Sequence, residues 1–189
     1  MNEATTTTAD GLGTARIGRI AGLAAIASAL ASLAWLAGLA PAGEFPGRWI
    51  TVWNLLLIPA GAWLGFVLVR DNGPLPAAVA ALSAVAGIGS CLLWATSWQR
   101  ADLEALWIAL SAAWWIPTGL LLVRRGPRWL GWFTVVLGVF AGLDAFVTWA
   151  GNEGFLFLLA SPKLPLAWIW AFAVGVRLVV DPALEPDPR

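Results

Sequence analysis

Six apolar runs, each about as long as a bilayer's hydrocarbon core is thick, leave this chain few folds to choose from. A core of about 30 Å takes about 20 residues of α-helix. Runs of that length occupy Ile17–Ala40, Trp49–Val69, Leu75–Trp98, Leu103–Val123, Trp129–Trp149 and the shorter Leu164–Val180. Within lipid only helices and closed barrels satisfy every backbone N–H and C=O. Continuous runs, rather than the alternation of barrel strands, select helices. The expectation is an all-α polytopic membrane protein, a six-transmembrane-helix bundle over residues 17–180. A polar, Thr-rich tail at residues 1–16 and a short tail at 181–189 read as disordered. The apolar piece Gly154–Ala160 either extends the sixth helix or lies along the interface, with Pro162 and Pro165 breaking the path.

Composition narrows the functions. Charged residues make up 12% of the chain, against about 25% in soluble domains, and no segment between the runs is long enough for a soluble domain. Formal net charge is zero and no polybasic stretch is present, which argues against a nucleic-acid partner. Histidine is absent and Cys91 is the single cysteine. That excludes an intrachain disulfide, a His-based triad, haem ligation by His and the usual zinc and iron–sulfur sites. Gly11-Leu12-Gly13 follows no strand and is not a dinucleotide fingerprint, and P-loop and HExxH motifs are missing. The expectation is a non-enzyme without cofactor or metal.

Positive charge orients the spans. Arg16, Arg19, Arg70, Arg124, Arg125, Arg128, Arg177 and Arg189 fall on one side, and Arg48, Arg100 and Lys163 on the other. This places both termini in the cytoplasm and makes Arg124-Arg125-Gly126-Pro127-Arg128 a short cytoplasmic turn. Arg16 and Arg19 precede the first run, and Ala40-Pro41-Ala42 imitates a cleavage site. The run nevertheless exceeds the 7–15 residues of a signal h-region and reads as a retained anchor helix. Arginine outnumbers lysine ten to one. With abundant Ala, Gly and Trp, that fits a GC-rich bacterial genome and a bacterial cytoplasmic membrane.

The segment W-x-x-P-x-G-L-L-L-x-R at Trp114–Arg124, followed by R-W-L-G-W at Arg128–Trp132, resembles a group of uncharacterised bacterial six-helix membrane proteins, a domain-of-unknown-function family. The resemblance covers the C-terminal half. It implies a six-helix bundle, with no activity and no catalytic residues to carry over. A second pattern is internal: I-P-A-G…V-R-D-N-G-P from Ile58 to Pro74 echoes I-P-T-G…V-R-R-G-P from Ile116 to Pro127. It suggests a repeated helix hairpin, although aligning the V-R pairs displaces the two prolines by about one helical turn.

Polar groups inside a bilayer are costly and face the bundle interior. Helical spacing puts Ser83, Gly87, Ser90, Trp94 and Ser97 on one face of the third helix, and Glu104, Trp107, Ser111, Trp115 and Thr118 on one face of the fourth. Thr134, Gly138, Ala141, Asp144 and Thr148 share a face of the fifth, and Asn54, Ile58, Gly61 and Gly65 a face of the second. Such stripes serve close packing, and the GxxxG pairs Gly18/Gly22, Gly61/Gly65 and Gly138/Gly142 fit that use. Asp144 is the one acid well inside a span. It lies roughly 24 Å from Arg128 at about 1.5 Å per residue, near the level of Asn54 and Ser90. The candidate ligand site is therefore Asp144, Asn54 and Ser90, with Glu104 at its rim and Trp94 and Trp107 on the same helix faces. No intramembrane cation is expected at that depth, so Asp144 should hold a proton or reach water. The alternative is an Asp capping an early-ending fifth helix.

Of the 14 tryptophans, Trp35, Trp49, Trp53, Trp98, Trp149 and Trp168 fall near one interface and Trp129 and Trp132 near the other, as an aromatic belt does. Trp63, Trp114 and Trp115 lie deeper, filling space or lining a cavity for an apolar ligand or a quaternary amine. Pro59 and Pro117 should kink the second and fourth helices. The leading reading is a protein that binds a small amphipathic ligand or lipid, or a partner subunit, with membrane lipids, another membrane protein or its own copies as partners. The second is a small, proton-coupled transporter using Asp144. The third, a membrane enzyme on lipids, would need paired carboxylates or a metal.

Overall fold

The computed structural model describes residues 4–36, 46–70, 72–97, 100–151 and 162–185. Six helices account for nearly all of them: α1 (Ala4–Leu36), α2 (Pro46–Arg70), α3 (Pro74–Ser97), α4 (Ala101–Arg125), α5 (Arg128–Ala150) and α6 (Lys163–Val180). Each contains a stretch long and apolar enough to cross a membrane, and no strand occurs among the described residues. The protein is an all-α bundle. Helices adjacent in sequence pack side by side from α1 to α5, α6 lies along α1, and a sparser contact between α5 and α6 closes the ring. One end of the ring carries Arg70, Arg124, Arg125, Arg128 and Arg177; the other carries Arg100 and Lys163.

The helices run uninterrupted through Pro59 and Pro117, so neither proline unwinds a span to build a site. Leu75, Leu82, Val85, Phe146, Trp149 and Val180 point outward, more than half exposed, as lipid-facing residues do. Ala25, Leu64, Leu122, Leu137, Trp170 and Val174 are fully buried.

Glycine sets how close the helices come. A Cβ added at Gly175 of α6 would stand 2.7 Å from the carbonyl oxygen of Gly22 on α1, and one at Gly119 of α4 would stand 2.7 Å from that of Gly131 on α5. Here backbone lies on backbone. Gly18 seats the Trp63 ring and Gly61 the Trp114 ring. Gly142 of the third GxxxG pair is looser, with Ala112 Cβ nearest at 3.8 Å. Helix α5 ends at Gly151, whose φ of 64° is the left-handed turn that glycine adopts without strain, its N–H directed at the Val147 and Thr148 carbonyls.

Among the described residues, ordered structure reaches into both tails. Helix α1 begins at Ala4, because extending an existing helix adds a hydrogen bond per residue without a new nucleation cost. At the other terminus Asp181 accepts from the N–H groups of Ala183 and Glu185, and Arg177 donates to Asp181 at 3.0 Å and to the Glu185 carbonyl at 2.7 Å. Trp63 Nε1 donates to the Pro182 carbonyl at 2.9 Å, and Leu184 is buried. Residues 181–185 thus clamp the arginine-rich end.

Gly175→Ala should lower bundle stability by about 1–3 kcal/mol, the usual range for overpacking. Gly142→Ala should be neutral or slightly stabilising, because its Cβ meets ordinary contact and alanine favours the helix. Thermal unfolding of both variants in one detergent checks the contrast; equal shifts would contradict the close α1–α6 approach.

Candidate functional site

The polar stripes of neighbouring helices meet in pairs. Between α3 and α4, Ser83 and Thr118 share a hydrogen bond at 3.2 Å and Ser90 and Ser111 one at 2.7 Å. Ser90 also reaches the Trp107 carbonyl at 2.8 Å. Ser28 of α1 donates to the Trp53 carbonyl of α2 at 2.8 Å, and Thr51 of α2 to the Ala95 carbonyl of α3 at 2.8 Å. Between α5 and α6, Trp170 Nε1 donates to Thr134 Oγ1 at 2.8 Å. Each bond joins two helices and satisfies groups that lipid could not.

Away from the arginine-rich end these stripes enclose a cavity of about 30 Å³, bordered by α1, α2, α3, α4 and α6. Its polar lining is Ser28, Ser32, Asn54, Ser90 and Ser111; its apolar lining includes Trp53, Trp94, Trp114, Trp115, Ala167 and Trp168. A space of that size holds about two water-sized groups. Ser28 and Ser32 spend their protons on backbone carbonyls, which leaves hydroxyl lone pairs as acceptors. Trp115 is only 6% exposed, and its indole N–H finds no partner among the described residues. An unpartnered buried donor costs about 1–3 kcal/mol, and this nitrogen is enclosed by the packing around it.

Beside the cavity, across the sparse α5–α6 seam, Lys163 Nζ donates to the Asp144 carboxylate. Lys163 is 6% exposed and stands 5.0 Å from the centroid of the Trp107 ring, a cation–π contact. Trp107 stacks on Trp94 with centroids 4.3 Å apart and planes 8° from parallel. Trp53 meets Trp94 and Trp168 edge-on at 6.1 and 6.4 Å. On the far wall Trp170 meets Trp114 at 5.3 Å and Trp115 at 5.9 Å. The indoles connect the ion pair to the cavity.

The expected site divides in two. Asn54, Ser90 and Trp94 line the cavity together. Asp144 and Trp107 instead belong to the ion-pair cluster, and Glu104 is an exposed carboxylate near enough to attract Lys163. The expectation that Asp144 lacks a cation is corrected: Lys163, assigned from sequence to the loop beyond the span, begins α6 and turns inward to Asp144. Trp53, placed near the outer interface from sequence, is buried at 5% exposed, and Trp168 is half-buried against the cavity. Trp129, Trp132 and Trp149 do point outward, and Trp63 packs near the arginine-rich end. The side chains of Trp35, Trp49, Ser97 and Trp98, and the piece Gly154–Ala160, lie outside the described residues. Ser28, Ser32 and Lys163 were missed as site residues, and no grouping of three or more metal-ligating side chains occurs among the described residues. Compared with known proteins, the chain matches no family model, no curated protein and no solved structure.

Removing one partner of a buried ion pair leaves an uncompensated charge and costs about 3–5 kcal/mol, whereas replacing both by apolar groups is often neutral. Lys163→Met should therefore destabilise the protein strongly. Lys163→Met combined with Asp144→Leu should recover most of the loss. Additive losses in a double-mutant cycle of unfolding free energies in detergent would show that the two side chains are not coupled.

Proposed function

We propose that this protein is a non-enzymatic multi-pass protein of a bacterial cytoplasmic membrane, with both termini cytoplasmic, that binds a small amphipathic molecule or lipid inside the half of the bundle away from its arginines. The observation that carries the reading is the five-helix cavity. It gathers four serines and an asparagine, with Trp53, Trp94, Trp114 and Trp115, around one space. Close packing alone accounts for the hydroxyl pairs. It does not account for the space left between them. The arginine-rich end supplies the orientation.

A second reading rests on the Asp144–Lys163 pair, which is enclosed within the span with the Glu104 carboxylate nearby. A carboxylate and an ammonium in contact can exchange a proton, as proton relays in carriers do. Flux driven by a pH gradient in proteoliposomes, lost in Asp144→Asn with the fold intact, would establish it. A partner-subunit role would show as a second chain, or a second copy, retained on mild purification.

Native mass spectrometry of protein released in mild detergent tests ligand binding. Wild-type protein should retain a discrete one-to-one mass. Ala167→Leu fills the cavity and should lose that mass while leaving the Asp144–Lys163 pair in place. Bare wild-type protein would contradict the reading.

A further inference from the structure

The α1–α6 pair differs along its length. At Gly22 and Gly175 the two backbones touch. Further from the arginine-rich end, the same helices border a wholly apolar groove of about 360 Å³ on the outside of the bundle, formed by Leu30 and Leu33 of α1 and Pro165, Ile169 and Phe172 of α6. Trp168 lines both this groove and the polar cavity. Its indole is therefore the partition between a lipid-facing channel and an interior lined by hydroxyls. It is half-buried and held edge-on to Trp53 at 6.4 Å.

We propose that the groove and the cavity form one binding site for a single-chain lipid alcohol. Its hydrocarbon tail would lie along α1 and α6, and its hydroxyl would enter past Trp168 to the cavity. This deepens the ligand-binding reading above and rests on it.

Three features select the ligand. The groove is apolar on both walls and runs from Pro165 to Phe172, about 10 Å along a helix axis, which suits one extended chain. The cavity lining contains no ionised side chain, and the neighbouring charges of Asp144 and Lys163 are spent on each other. A charged head would enter unpaired and be costly, so the head is neutral. The cavity admits about two water-sized groups, and the Ser28 and Ser32 oxygens in its lining keep spare lone pairs because their protons go to backbone carbonyls. A hydroxyl donates to them. A carbonyl does not. The site is open to the bilayer at its side, and the ligand arrives from the membrane.

The test adds hexadecan-1-ol, palmitate and hexadecyltrimethylammonium separately, at equal concentration, to detergent-purified full-length protein and counts adducts by native mass spectrometry. Hexadecan-1-ol should give a one-to-one adduct at least tenfold more abundant than either charged amphiphile. Ala167→Leu, first shown by thermal unfolding to be folded, should reduce it at least tenfold. Trp168→Ala should speed its exchange with labelled hexadecan-1-ol. Equal adducts for all three amphiphiles, unchanged in Ala167→Leu, would overturn the proposal by reducing the groove to ordinary annular lipid contact. Preference for a charged amphiphile would overturn it by moving the head to the ion pair. A one-to-one mass retained from the membrane by wild-type protein that none of the three amphiphiles displaces would overturn the lipid-alcohol assignment and leave ligand binding standing. No retained mass and no adduct would remove both.

Discussion

Lipid tails are as apolar as leucine, so six apolar helices in a bilayer have no hydrophobic reason to associate with one another. What holds this ring must therefore come from close backbone approach, interhelical hydrogen bonds and shape-matched filling of the interior. All three are visible and are distributed unevenly. Gly22 against Gly175 and Gly119 against Gly131 bring backbones together. Serine and threonine hydroxyls join α1 to α2, α2 to α3 and α3 to α4. Tryptophans fill the remaining width, with Trp114 and Trp170 almost wholly enclosed.

The two halves of the bundle put these devices to different use. At the arginine-rich end, residues 181–185 clamp the bundle through Trp63 and Arg177. Toward the other end the small residues around Ser28, Ser90 and Ala167 are not fully matched by large ones, and a hydroxyl-lined cavity remains beside an apolar groove. The Asp144–Lys163 pair stands at the sparsest seam of the ring, between α5 and α6. Helix contact is sparse there, and the ion pair and the Trp170–Thr134 hydrogen bond join α6 to α5. Substituting Asp144 alone consequently mixes a folding defect with any change in binding, and the cavity walls are the cleaner place to probe a ligand.

The spans were legible in the sequence because an apolar run of bilayer length is a local property, and so were the inward faces of α3, α4 and α5, which follow from helical spacing. Ser90 met Ser111 and Ser83 met Thr118 as those faces require. What escaped depends on azimuth and on chain return. Trp53 sits at interfacial depth, yet its direction around α2 carries it inward against Trp94 and Trp168. Lys163 lies next to Pro162 and Pro165, which read as a loop, and only the seating of α6 beside α5 reveals Asp144 as its partner. The cavity belongs to no single helix. Its five polar groups come from four helices, α1 through α4, and only tertiary packing shows that a donor on Trp115 is left over.

The central claim is that the interior near Trp115 is a guest site continuous with the bilayer through the α1–α6 groove. An experimental structure of the full chain, extracted with its native lipids into nanodiscs and resolved well enough to show single water molecules, tests it most directly. The expected result is elongated density in the groove between Leu33 and Phe172, passing a displaced Trp168 ring and ending within hydrogen-bonding distance of Ser28 or Ser32. A Trp168 ring seated against Trp53, with the cavity empty or holding only isolated waters, would contradict it.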